Sequence, residues 1–148
     1  MSRILLDTNV LVYFYDHNSP EKQKRSRFIV GQLSALKNGC ISAQNLSEFV
    51  SATMRKLKPP FTPTEALDEA SLLSSSLQVF DLTSRIVLKA ARGVRDHQFS
   101  YYDAQIWATA HLNQIPTVFS EDFQDGQTLE GVRFANPFAE SFNLDEWL

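Results

Sequence analysis

Three acidic residues that interrupt apolar sequence carry the clearest chemistry in this chain. Asp7 ends the run Ile4-Leu5-Leu6, Asp122 comes shortly after Thr117-Val118-Phe119, and Asp103 sits within Ser100-Tyr101-Tyr102-Asp103-Ala104-Gln105-Ile106-Trp107. At about 100° per residue, Ala104, Ile106, Trp107 and Ala110 share one helix face with Asp103 near its middle. A carboxylate turned toward a core needs hydrogen bonds, a cation or a metal ion to offset its desolvation. One use of Asp103 is plain capping, since Ser100 stands three residues before it in capping-box spacing. The other is a shared site. Carboxylates a few ångströms apart repel, so they take up a proton or close around a cation. Oxygen donors without histidine or thiolate suit Mg²⁺ or Mn²⁺. Such ions serve phosphoryl chemistry by binding phosphate oxygens and activating water.

The elements around these acids bear on the choice. Short apolar runs predict strands at residues 4–6, 40–42, 78–82 and 117–119, with 132–134 as a fifth, edge strand. Periodicity and capping signals predict helices over 10–15, from Pro20 to a stop at Gly39, over 43–57, over 65–75, over 84–95, and from the Asp103 motif to about Asn113. The second helix is expected to turn Phe28, Ile29, Leu33 and Leu36 inward. The fifth is expected to bury Ile86, Val87, Ala90, Ala91 and Val94. Strands separated by one or two helices make a parallel sheet covered on both faces, and sites in such sheets lie beyond the carboxyl ends of the strands. Asp7 and Asp122 follow strands at that edge. Asp103 opens the helix that leads back into the fourth strand, so the topology brings all three acids to one edge.

Composition narrows the class. At 148 residues, 43% hydrophobic and 21% charged, the chain reads as one domain spanning 1–148 with a proper core. Its apolar tail, about 137–148 with Phe138, Phe142, Leu144 and Trp147, is expected to dock on the body or on a partner. The single cysteine, Cys40, excludes an internal disulfide and suits a reducing compartment. No apolar run approaches the ~18 residues of a membrane helix, and Asp7 breaks the apolar start, so a cytoplasmic protein is expected. A net charge of −3 means that any nucleic-acid contact must be a local basic patch.

Four stretches now bear a resemblance. Ile4-Leu5-Leu6-Asp7-Thr8-Asn9-Val10-Leu11, Ser47-Glu48-Phe49, Ser100-Tyr101-Tyr102-Asp103-Ala104 and Phe119-Ser120-Glu121-Asp122 resemble, in order and spacing, the four acidic motifs of PIN domains. Within that superfamily the chain is most similar to VapC-type toxins, the ribonucleases of type II toxin–antitoxin pairs. The resemblance implies a three-layer α/β fold with a central parallel sheet of four to five strands flanked by helices. It implies a Mg²⁺- or Mn²⁺-dependent endoribonuclease, in which activated water attacks the phosphodiester and leaves a 5′ phosphate and a 3′ hydroxyl. Asp7, Glu48, Asp103 and Asp122 would be catalytic, with Asp7, Asp103 and Asp122 as metal ligands. Asn9 and Ser120, the latter where many relatives carry threonine, would be supporting polar groups. An RNA substrate, a cognate antitoxin folding over the groove and a homodimer are implied in the same way.

Glu48 enters by resemblance alone. Its helical phase lies nearly opposite the Leu46–Phe49–Val50 stripe, so periodicity makes it solvent-facing unless that polar face lines the cleft. Asp122 has neighbours of the same type in Glu121 and Asp125, and motif position selects it. Arg85, Lys89, Arg92 and Arg95 share one helix face, and Lys22, Lys24, Arg25 and Arg27 cluster near another helix start. Each group is either an ordinary solvated face or a seat for RNA phosphates. His17, His97 and His111 lack metal-ligand spacing, and Cys40 reads as a small core residue. Two other classes compete. A signalling receiver would use a phospho-acceptor such as Asp81, yet strand one supplies a single acid and no lysine follows Lys89. A catalytically silent PIN-like binding module would have no need of four repelling carboxylates.

Overall fold

Ile4, Leu5 and Leu6 are all fully buried and form the short strand β1 (Ile4–Leu6) inside the sheet. The computed structural model describes residues 1–148. After β1 come α1 (Thr8–Tyr13), α2 (Pro20–Leu36), β2 (Gly39–Ser42), α3 (Ala43–Arg55), α4 (Pro63–Ser76), β3 (Gln78–Phe80), α5 (Ser84–His97) and α6 (Tyr101–Leu112). Then β4 (Thr117–Phe119), β5 (Thr128–Leu129) and β6 (Val132–Ala135) complete the sheet, and a 3-10 turn, Leu144–Trp147, lies near the chain end. The strand order is β3-β2-β1-β4-β6-β5. Every pairing is parallel except β5 with β6.

Burial on both faces explains why the strands read as continuous apolar runs. Ile4 and Leu6 join a cluster with residues of α1, α2, α3 and α4, whereas Leu5 and Cys40 point to the other face, into α5 and α6. The result is the expected three-layer α/β arrangement. It has six strands rather than four to five, because a two-residue β5 adds an antiparallel arm outside β6. Strand β6 is therefore not the edge. The turn between the two strands needs positive φ at Glu130 (48°) and Gly131 (83°), and so short an arm leaves no alternation to read. On the α1–α4 face, Phe142 and Trp147 of the tail pack on Phe119, with ring centroids 5.2 and 5.8 Å away.

Three local expectations are corrected. Helix α2 stops at Lys37 in the left-handed conformation (φ 59°), and Gly39 belongs to β2. Its buried stripe is Ser26, Ile29, Val30 and Leu33, leaving Phe28 54% and Leu36 38% exposed on the flanks. Helix α5 buries only Ile86, Ala90 and Gly93, so Val87, Ala91 and Val94 face solvent. The narrow stripe follows from close approach: a Cβ on Gly93 would stand 2.7 Å from a ring carbon of Trp107. Trp107 is fully buried and has nowhere to move. Gly93→Ala should thus overpack the α5–α6 interface by about 2 kcal/mol, more than the helix-propensity gain. Thermal denaturation is expected to show a Tm lowered by about 4–8 °C. No helix is long and apolar enough to cross a membrane.

Candidate active site

Strands β1 and β4 run parallel with Leu6 opposite Phe119, so the residues after them emerge side by side. The Asp7 N–H donates to the Phe119 carbonyl (3.0 Å) and the Ser120 N–H to the Ala135 carbonyl (3.0 Å), extending the sheet to its polar end. Asp7 is the N-cap of α1, and its Oδ1 accepts the Thr8 N–H at 2.7 Å. Its other oxygen, Oδ2, accepts the Ser120 hydroxyl at 2.7 Å. The same hydroxyl oxygen accepts the Asn9 amide (3.2 Å) and the Asp122 N–H (3.0 Å). Asn9 also donates to Asp122 Oδ2 at 3.2 Å. Ser120 and Asn9 are therefore the polar link between two of the acids.

Of the three acids in the loop after β4, each has a different task. Glu121 is held by Tyr13 (2.7 Å) and Lys22 (2.8 Å). Asp125 accepts the Asn136 N–H at 2.8 Å, which shapes the loop. Asp122 alone turns toward Asn9 and the cleft.

Asp103 lies half-buried in the first turn of α6. Ser100 is the N-cap of that helix but makes no side-chain capping bond, so the capping box expected from its spacing does not form. Glu48 is exposed, as its helical phase requires. That polar face of α3 nevertheless forms one wall of the cleft, because α1 packs across from it. The cleft, about 440 Å³ in volume, is lined by Thr8, Asn9, Tyr13, Glu48 and Asp122 among others. A buried amide chain fixes Glu48 in place. Gln105 Nε2 donates to Gln44 Oε1 (2.7 Å), and Gln44 Nε2 donates to Glu48 Oε1 (2.7 Å) and to the Tyr102 carbonyl (3.1 Å).

Electrostatics marks out Asp7 and Asp122. Burial pushes the Asp7 carboxyl up from 3.8 to about 7, and the charges of Asp122 and Glu48 push the same way, against the Ser120 and Thr8 hydrogen bonds. Burial also raises Asp122, with the charges of Asp103 and Glu121 adding to it and the Asn9 hydrogen bond opposing. Asp7 and Asp122 are thus each raised in part by the charges of other acids at this end of the sheet.

The donors are all oxygen, with no histidine or thiol nearby, which is the chemistry of a hard divalent cation. No three acidic, histidine or cysteine side chains are drawn tightly enough to form a ready-made cage. Glu48 and Asp122 line an open cleft instead, with Asp7 buried behind its floor and Asp103 to one side, an arrangement that fits an ion retaining several of its waters, as Mg²⁺ does.

Other residues singled out by sequence lie elsewhere. Lys89 and His97 both pair with Glu130 on the α5–β5 side, at 2.9 and 2.8 Å, and Arg95 pairs with its neighbour Asp96. Cys40 is buried in β2. Asp81 is exposed just beyond β3, the strand at the far side of the sheet. Two cations that periodicity passed over, Arg55 and Lys56, line the acid cleft. The signal was present in the chain: Arg55 follows Glu48 by seven residues, with Ser51 and Ala52 between them on the same helix face.

Comparisons with known proteins agree with this fold. A toxin–antitoxin complex from Klebsiella pneumoniae superposes with a TM-score of 0.63 at 18% identity, covering 90% of this chain and 97% of that one. DNA-bound VapBC from Salmonella typhimurium gives 0.65 at 19%, covering 93% and 99%. A Mycobacterium tuberculosis VapC described as a sarcin–ricin loop cleaving toxin gives 0.61 at 21%, covering 88% and 98%. These likenesses establish a shared fold. No curated protein sequence gives a significant match. The PIN domain family model matches residues 4–124, a span that holds every residue lining the cleft as well as Asp7 and Asp103, and the chain therefore belongs to the PIN domain family.

Proposed function

We propose that this chain is a Mg²⁺- or Mn²⁺-dependent endoribonuclease, the toxin of a toxin–antitoxin pair, hydrolysing RNA phosphodiesters. The observation that carries the reading is the convergence of Asp7 with Glu48 and Asp122 of the cleft wall, Asp103 acting on Asp122 from beside it, with Asp7 held near neutrality by burial and by the charges of Asp122 and Glu48. Four carboxylates so placed are stable together only with protons or a cation between them. In this reading Asp7, Asp103 and Asp122 hold the ion, and Glu48 completes the acidic wall. A divalent cation there would supply charge neutralisation at the phosphate and lower the pKa of water.

The chain's own groups do the rest. The Ser120 hydroxyl and the Asn9 amide fix the orientations of Asp7 and Asp122. Gln44 occupies Oε1 of Glu48, leaving Oε2 free to accept a proton from an attacking water. The VapBC complexes among the structural relatives support an antitoxin partner, which in this reading folds over the cleft. A homodimer and a cytoplasmic location complete the reading.

The test is direct. Purified protein should cleave RNA with Mg²⁺ or Mn²⁺, stop in EDTA, and lose activity in Asp103→Asn. Titration with Mn²⁺ should raise the Tm through ligand linkage, by an amount equivalent to about 2.7 kcal/mol at a hundredfold excess over Kd. Cleavage that survives EDTA, or an unmoved Tm up to millimolar Mn²⁺, would sink the metal reading. An unmoved Tm together with RNA binding and no cutting would favour the silent binding module.

A further inference from the structure

An RNA strand approaching this cleft meets an electrostatic obstacle. The protein carries a net charge of −3, and Asp16, Glu48 and Asp122 line the cleft itself, with Asp7 and Asp103 beside them. One divalent ion offsets part of this at the scissile phosphate, but the flanking phosphates need cations of their own. The basic groups that stand out in the sequence are poorly placed for that task. Lys22 is bound to Glu121, Lys89 to Glu130 and Arg95 to Asp96. None of the three lines the cleft.

Arg55 and Lys56 differ on both counts. They end α3 at the same cleft that holds Glu48 and Asp122, and neither forms an ion pair. Arg55 is steadied by its Nε donating to the Ser51 hydroxyl at 3.0 Å, which leaves both terminal nitrogens of the guanidinium free. Glu48 and Arg55 are seven residues apart on one helix, a separation of about 10 Å along its axis. That is more than one phosphate-to-phosphate step in an extended strand. Between them Ala52, with Val12 and Leu57 from neighbouring segments, gives the cleft an apolar floor.

We propose that Arg55 and Lys56 form a phosphate-binding subsite that grips the RNA backbone beside the cleavage point and sets its path across α3. The proposal rests on the ribonuclease reading for the identity of the strand. It assigns the two cations to binding rather than to chemistry. Their removal should raise KM and leave kcat within about twofold.

Binding of a fluorescent single-stranded RNA, measured in EDTA over a range of salt concentrations, tests it apart from cleavage. Each phosphate contact on a single strand contributes about 0.7 to the slope of log K against log salt. Arg55→Ala and Lys56→Ala should each flatten the slope by that amount, and the double variant by about 1.4. Arg55→Lys keeps the charge and should keep the slope. Arg85→Ala with Arg92→Ala, far from the cleft, should change nothing. A role for Arg55 confined to the negative end of its helix would move the Tm and leave the slope alone. An unchanged slope and affinity in the double variant overturns the subsite, as does an equal loss in the Arg85/Arg92 control. RNA that binds through Arg55 and Lys56 but is never cut, with any divalent ion, refutes the ribonuclease reading and leaves the subsite standing.

Discussion

Asp7→Asn should abolish RNA cleavage and, in the same sample, stabilise the metal-free protein above neutral pH. The two effects have one cause. Burial, reinforced by Asp122 and Glu48, lifts the Asp7 carboxyl from 3.8 to about 7. The folded protein therefore keeps this proton between pH 4 and 7, where the unfolded chain has already lost it. Stability from this group is complete below about pH 4 and falls as pH rises to 7. At roughly 1.4 kcal/mol per unit, the ionised group costs about 4 kcal/mol.

Asparagine removes that cost and introduces a smaller one. All three partners of the Asp7 oxygens are donors, the Thr8 N–H and the Asn45 amide at Oδ1 and the Ser120 hydroxyl at Oδ2, and an amide can meet only one of the two sides with oxygen. The mismatch costs about 1–2 kcal/mol. A net gain of about 2 kcal/mol remains at pH 8, equivalent to a Tm about 4–8 °C higher in EDTA. At pH 4 the gain disappears. Mn²⁺ should stabilise the wild type and leave the variant unmoved, and cleavage should fall by at least about 100-fold, beyond the range typical of residues that merely support metal ligands. A variant that is less stable than wild type at pH 8 in EDTA, or one that still cuts RNA, contradicts this account of Asp7.

Much of this cleft is readable from the chain because topology, rather than detail, creates it. Asp7 must sit where it does once Ile4, Leu5 and Leu6 form an inner parallel strand, and the pairing of Leu6 with Phe119 places Ser120 beside it without further information. Glu48 is instructive in a different way. Its helical phase correctly makes it solvent-facing, but phase cannot say that α1 lies across from that face and turns it into a wall. The same omission hid Arg55 and Lys56, which lie on or next to that face. The choice of Asp122 over Glu121 and Asp125 depends on which loop carboxylate is already held by Lys22 or Asn136. Those contacts join distant parts of the chain, so local patterning carries no trace of them. The outward Val87 and Val94 show the opposite failure. The apolar stripe of α5 is wider than its contact, because Gly93 against Trp107 brings the helices so close that only a narrow strip is covered.

Gln44 is the residue on which the second large effect turns, and periodicity gives no hint of it. Its two outer partners, the Glu48 carboxylate and the Tyr102 carbonyl, can only accept, so its amide nitrogen must face both. Its oxygen then requires a donor, which Gln105 supplies from a site 4% exposed. The chain of amides joins α3 to the first turn of α6, one residue from Asp103, and so sets the separation of two acids carried on different helices. Gln44→Leu should release Glu48 and strand the Gln105 amide, destabilising the protein by about 1–3 kcal/mol and lowering both Mn²⁺ affinity and cleavage about 10–100-fold. The double variant Gln44→Leu/Gln105→Leu separates the two consequences. Replacing both members of a buried hydrogen-bonded pair by apolar groups is close to neutral, so its Tm should return toward wild type. Its cleavage and Mn²⁺ affinity should stay low, because nothing then holds Glu48 Oε1 or ties Tyr102 to α3. Recovery of activity along with Tm would mean that the amides serve packing alone and that Glu48 finds its place without them.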